Sequence, residues 1–277
     1  MLQKDITSKI LDFVRQKPRT IQEIAFLIKK NWRTADRYVD IISTETGFIS
    51  LRTFRQGTRG ALKVVFWNAL EGAKGSAYQE LLLQKIIQGK QKEDFSPFDI
   101  YQFVAEDKRE AFLEDKELSS NPKINLPKVL LQAKHQVLCF SGNLSWTELG
   151  PEVVKALEAL SKNKIPIKVL TRVDIISKKN TELALNLNKR FGWDVFSIRH
   201  CQHPLRALII DDQFFNIKEV LSPVYHRELK KKMFIFYTIK DPEWINWLQK
   251  LFWHLWNQSI DAQIRLKALD SVRRLVK

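Results

Sequence analysis

The sequence predicts a multidomain chain of mixed α+β and α/β class, and three observations carry that reading. Near the N-terminus, two short stretches of helical spacing precede two β-rich runs that flank a basic, glycine-containing tip. A middle segment has the spacing of helices. From about residue 126 onward, short apolar runs alternate with helical patterns, as in an α/β layer fold. The expected divisions are residues 1–71, a helical connector over 72–121, and 122–277, and 277 residues suit about two domains of ordinary size.

In the first division, Thr20-Ile21-Gln22-Glu23 is a capping box, in which a hydroxyl opens a helix and a carboxylate three residues later answers it. Ile21, Ile24, Ala25 and Ile28 then mark one apolar face. Asn31 can cap a second helix, about Trp32 to Thr44, with Ala35, Val39, Ile41 and Ile42 available to a core. Gly47 stands where a left-handed residue ends a helix at least cost. Strands follow at Phe48 to Phe54 and Leu62 to Trp67, joined by Arg55-Gln56-Gly57-Thr58-Arg59-Gly60. This helix–turn–helix–hairpin order is that of a winged helix, whose second helix enters the DNA major groove by its N-terminal residues. Asn31, Trp32, Arg33, Thr34, Arg37 and Tyr38 lie at that start, and arginine and amide side chains suit base edges. Arg55, Gln56, Thr58 and Arg59 form the expected wing contact, with Gly57 and Gly60 leaving room for a backbone. A winged helix used only for protein contact, its arginines merely solvated, is the bland alternative.

In the middle, Ser76 caps a helix to about Gln88, after a hinge at 72–75. Ser96-Pro97 opens a second helical stretch expected to reach Glu117, and Ser119-Ser120-Asn121-Pro122 reads as a linker. In the last division, helices are expected at Leu126–Lys134, from Pro151, at Thr181–Phe191 and at Pro242–Gln258. Strands are expected at Val137–Phe140, Ile165–Leu170, Trp193–Ile198, Ala207–Ile210 and Met233–Ile239. Trp244, Trp247, Leu248, Leu251, Leu255 and Trp256 make an apolar stripe for a sheet or a partner chain, and the basic tail from Asp261 reads as helical.

Net charge is +15 and unevenly spread. Residues 1–70 hold 13 Lys/Arg against 6 Asp/Glu, residues 71–121 hold 7 against 11, and residues 122–277 hold 26 against 14. Such a balance suits a nucleic-acid binder and leaves the acidic middle off the DNA. There is no apolar run long enough for a membrane span and no apolar signal-peptide core, which points to a cytoplasmic protein. Cys139 and Cys201 sit in apolar surroundings and read as buried thiols rather than a disulfide. His200, Cys201 and His203 lack a fourth ligand and a metal-binding spacing, so no metal or other cofactor is expected.

Residues 152–157 followed by 164–170 are similar to the opening helix and strand of phospholipase D-like domains. Pro204-Leu205-Arg206-Ala207-Leu208-Ile209-Ile210-Asp211 resembles that family's H-x-K-x4-D signature in altered form. Arg206 falls at the lysine and Asp211 at the aspartate, but Pro204 takes the place of the nucleophilic histidine and Lys218-Glu219 that of a downstream Gly-Ser. The resemblance spans about residues 126–258; joined to a winged helix, it resembles the TrmB-like transcriptional regulators, a mainly archaeal family. It implies a phospholipase D-like domain that has lost catalysis and serves dimerisation or sensing. Longer family members add a sugar-binding domain, for which this chain is expected to be too short. Proline offers no nucleophile, and His203, one residue away, would point to the other face of a strand. Arg206 is then a fixed cation, paired with Asp211 or Asp212 or holding an anion.

The combined expectation is a non-enzymatic, sequence-specific regulator that binds double-stranded DNA as a homodimer, with an unknown small-molecule effector as a further candidate partner. The alternatives are a nonspecific, chromatin-type DNA binder and a residual phosphodiesterase or nuclease.

Overall fold

A computed structural model describes residues 4–46, 48–55, 61–67, 76–148, 150–226 and 229–275. The N-terminal unit comprises α1 (Lys4–Gln16), β1 (Arg19–Thr20), α2 (Ile21–Leu27), α3 (Trp32–Thr46), β2 (Ile49–Arg55) and β3 (Ala61–Trp67). Its three strands are ordered β1-β3-β2, all antiparallel. The capping box forms as read: the Glu23 amide donates to Thr20 Oγ1 (3.2 Å) and the Thr20 amide to Glu23 Oε2 (2.7 Å). Ile10 and Val14 of α1 close the core over Ile21, Ile24, Ala35, Val39, Ile42, Ile49 and Val65. The expected C-cap Gly47, the wing tip and the hinge at 72–75 lie outside the described residues.

The hairpin β2–β3 buries both of its faces. Ile49, Leu51, Val65 and Trp67 face the helices. Phe54, Leu62, Val64 and Phe66, one residue out of phase, pack into a different core with Phe98, Tyr101 and Tyr237. Phe66 meets Phe98 at 4.7 Å between ring centroids, and Phe54 meets Tyr237 edge-on at 6.5 Å. A strand with apolar residues on both faces must be covered on both. The N-terminal unit is therefore docked against the rest of the chain through the back of its hairpin.

The middle begins with α4 (Ser76–Gln88), as expected, and a one-turn α5 (Phe98–Tyr101). The helix expected to run to Glu117 does not form. Residues 109–114 are instead a strand, β4 (Arg109–Glu114), paired antiparallel with β10. Its residues are half-buried on both sides, so the sheet edge outweighed an ambiguous local pattern. The expected linker at 119–122 is also a packed turn: Ser119 is buried, Asn125 Nδ2 donates to the Ser119 carbonyl (2.7 Å), and the Asn121 amide donates to Ser119 Oγ (3.0 Å).

The C-terminal domain is built on an eight-stranded sheet in the order β11-β7-β6-β5-β8-β9-β10-β4. In chain order its elements are α6 (Leu126–Leu130), β5 (Val137–Ser141), α7 (Pro151–Lys162), β6 (Ile167–Thr171), α8 (Lys178–Phe191), β7 (Phe196–His200), β8 (Ala207–Ile210), β9 (Phe214–Leu221), β10 (Met233–Ile239), α9 (Pro242–Gln258), β11 (Ile260–Asp261) and α10 (Ala262–Leu275). Strands β5, β6 and β7 run parallel through the crossovers α7 and α8, and β8 reverses the direction beside β5. Alternate residues divide the sheet's faces. Leu138, Phe140, Ile209, Phe215 and Ile235 face α9, whereas Val137, Cys139, Val169 and Ile210 face α6, α7, α8 and α10. The tryptophan helix packs on this sheet: Trp244, Leu248, Leu251 and Leu255 are buried, and Trp247, Trp253 and Trp256 cover the same core. Strand β9 had no counterpart in the sequence reading.

Candidate nucleic-acid interface and a cationic cavity

The start of α3 is open. Asn31 Oδ1 accepts from the Thr34 amide (2.8 Å), which fixes the first turn and spends the oxygen expected to face DNA on the cap. Ala35, Val39 and Ile42 anchor the opposite face. Arg33 and Arg37, four residues apart and so on one face, are exposed and have no ion-pair partner among the described residues. The Arg33 guanidinium lies 5.8 Å from the Trp32 ring centroid, and Trp32 is 50% exposed. Tyr38 departs from the expectation: it is half-buried and packs on the core, with Arg37 at 5.8 Å from its ring. Thr34 is also half-buried. Lys29, which has a left-handed backbone (φ 53°), and Lys30 are exposed in the turn before Asn31, and the sequence reading passed over both. Lys63 Nζ meets Asp36 Oδ2 at 2.5 Å and ties β3 to α3. Arg55 is described in its backbone alone, and Gln56, Thr58 and Arg59 lie outside the described residues.

The altered signature folds differently from the expected ion pair. Asp211, with φ at 47°, turns its carboxylate onto the amides of Lys134, His135 and Gln136 (2.8, 2.9 and 2.8 Å) and so ties the β8–β9 turn to the loop entering β5. Asp212 accepts from Gln249 (2.8 Å). Neither pairs with Arg206. Its guanidinium lies flat against Gly142, where any Cβ would collide with it, and Nη1 donates to the Leu205 carbonyl (2.6 Å). The close approach explains the glycine after β5. Burial and the nearby Arg172 press the Arg206 pKa down.

Arg206 lines a cavity of about 290 Å³ bounded by α6, β5 and β8–β10. Lys92, Arg172, Lys218 and Lys232 also line it, with Glu117 as the described carboxylate among them. Lys218 is ion-paired with Glu117. Phe234 and Phe236 supply an apolar wall, and the Trp146 indole nitrogen is buried beside the Cys139 thiol with no nitrogen or oxygen acceptor. Burial pushes Cys139 up to about 12, an inert thiol, and both cysteines are free.

His203 stands apart. It is buried on the α9 side of the sheet, edge-on to Phe140 at 5.3 Å, and Nε2 donates to the Leu170 carbonyl (3.1 Å). Burial holds its pKa down to about 4. It does not line the cavity that Arg206 enters. His200 is likewise engaged, its Nδ1 accepting from the Val173 amide (2.8 Å).

No protein-family model matches the chain, and no curated protein matches it by sequence. Similar solved structures include TrmBL2, an archaeal chromatin protein described as showing a novel mode of DNA binding (12% identity over 94% of each chain, TM-score 0.39). They also include Nuc from Salmonella typhimurium, a phospholipase D family member (15% identity, covering 56% of this chain and 98% of that one, TM-score 0.38). NucT from Helicobacter pylori is a third (11% identity, 56% and 98%, TM-score 0.40).

Proposed function

We propose that this chain is a sequence-specific DNA-binding transcriptional regulator acting as a homodimer, with a non-catalytic C-terminal domain. The observation that carries the proposal is the start of α3, where Arg33 and Arg37 project together from a capped helix end with Lys29 and Lys30 beside them. The cations, the free amides of the first turn and the positive end of the helix dipole all favour a polyanion there. Long donors on one face of a helix suit the major groove. Footprinting on genomic fragments tests the reading: a defined protected site supports it, and uniform coverage at equal affinity favours the nonspecific, chromatin-type alternative. The absence of catalysis rests on chemistry. Pro204 has no nucleophile, and the His203 imidazole is turned away from Arg206 and spent on a carbonyl. Metal-independent DNA cleavage that disappears in His203→Ala would return the nuclease reading.

The tryptophan helix is used inside the chain, so self-association needs another surface. Ile175 and Ile176 are 83% and 77% exposed, and α10 lies beside their loop, since Arg265 Nε donates to the Val173 carbonyl (3.3 Å). Ile264 on α10 is also exposed. Such a patch favours a two-fold contact of the C-terminal domains. Light scattering should give a dimer that dissociates in Ile175→Lys/Ile176→Lys, and a monomeric wild-type chain would end the proposal.

A further inference from the structure

We propose that the cavity between α6, β5 and β8–β10 binds a small organic phosphate monoester, its phosphate between Arg206 and Lys232 and its apolar body against the Phe234–Phe236 wall. Charge decides the head group. Of the five lining cations, Lys218 is compensated by Glu117, Lys92 approaches Glu93 (3.6 Å), and Arg172 approaches Asp174 (2.8 Å) at an angle too poor for a hydrogen bond. Arg206 and Lys232 form no ion pair among the described residues, and Glu93 and Glu117 act on Arg206 only at longer range. Two cations without a direct ion pair match an anion of charge about −1.5 to −2, which a phosphate monoester carries near neutral pH and a carboxylate does not. A half-buried cation without a direct ion pair is costly, and one held against Gly142 by its own backbone contact is pre-organised rather than accidental.

Shape decides the body. A free phosphate would leave most of the 290 Å³ and the phenylalanine wall wet, whereas that volume holds a head group together with a ring or short chain. Strand β9 gives the site a route to the winged-helix unit. Lys218 faces the cavity, and its neighbour Glu219 accepts on the other face from Ser96 Oγ (2.8 Å) and from the hydroxyl of Tyr237 (2.8 Å), which packs on Phe54 of the hairpin. As a sensing site the cavity deepens the regulator reading, but binding itself is measured without DNA. A failed titration therefore leaves the footprint result standing, and the reverse holds.

The test is calorimetric titration of the full chain, in phosphate-free buffer, with phenyl phosphate, inorganic phosphate and benzoate. Phenyl phosphate should bind about tenfold more tightly than either half-ligand. Arg206→Met should weaken it about tenfold. Lys232→Met, on the exposed rim, gives a variant that keeps the fold should Arg206→Met not, and it should weaken binding severalfold. No binding of phenyl phosphate at millimolar concentration, equal binding of benzoate, or undiminished affinity in both the Arg206→Met and Lys232→Met variants would each overturn the proposal.

Discussion

The two cationic clusters of this chain handle the same charge in opposite ways. Arg33 and Arg37 stand in water at the tip of α3, where a guanidinium costs nothing to keep and a neighbouring anion is screened by salt. Arg206 and Lys218 are drawn into the sheet, where burial lowers both their pKa values. Lys218 is ion-paired with Glu117, whereas Arg206 forms no ion pair among the described residues and feels Glu93 and Glu117 only at longer range. The acidic residues of the middle segment explain part of this. Glu110 pairs with Lys123 (2.6 Å) and Lys240 (3.5 Å), and Asp115 with Lys231 (2.5 Å). The acidic block therefore neutralises the C-terminal sheet rather than standing apart from it, and the N-terminal cations stay uncovered. Exposed charge is available to an outside polyanion, whereas buried charge is already committed, or held for something small enough to enter.

Four measurements sharpen or break that contrast. The largest effect belongs to His203, buried beside the committed cluster. Its folded pKa of about 4 lies below the unfolded value near 6.5, so the unfolded chain binds more protons between these values. Its contribution to stability is whole above pH about 6.5 and is lost as pH falls toward 4. Glu219 and Asp99, raised by burial, act with the opposite sign. The stability difference between wild type and His203→Asn isolates the imidazole and should shrink by about 3 kcal/mol from pH 7 to pH 4. A difference independent of pH would show that the ring is not buried in its neutral form.

Next is Arg37→Ala. Folding stability should change by less than about 0.5 kcal/mol, while affinity for a preferred DNA site should fall by about 1–3 kcal/mol, and far less on random DNA. Equal losses on both would reduce Arg37 to a phosphate contact. Arg206→Met should act the other way, raising the denaturation midpoint by the equivalent of about 1 kcal/mol, because a flexible apolar side chain removes a half-buried charge that has no direct ion pair. Destabilisation would show that the cation is a structural strut. The smallest effect is Lys63→Met: loss of the half-buried pair with Asp36 should cost about 0.5 kcal/mol in chemical denaturation, and a zero effect would free β3 from α3.

Local signals were decisive where short-range chemistry sets the outcome. The Thr20–Glu23 box, the Asn31 cap, and Pro151 and Pro242 at helix starts all fell where the sequence placed them. Each is a contact between residues a few positions apart, which composition and spacing encode directly. Apolar periodicity gave the core face of α3 and most of the C-terminal strands for the same reason. The misses are non-local. The segment 109–114 is ambiguous by itself, and only an open edge beside β10 made it a strand. The pattern of β9 is broken by Asn216, Lys218 and Glu219, polar residues that become tolerable only with Thr238, Glu117 and Tyr237 brought beside them from elsewhere in the chain. The altered signature showed that Arg206 was special, but its partner was decided by the fold: Asp211 was claimed by three amides of a distant loop, and the arginine turned to Gly142 and the cavity. By itself the sequence determined most of the elements, their caps and the cation-bearing face of α3, because those depend on neighbours along the chain. The tertiary structure alone decided the docking of the hairpin, the commitment of the acidic middle and the shape of the cavity, because each depends on which surfaces meet when desolvation must be satisfied.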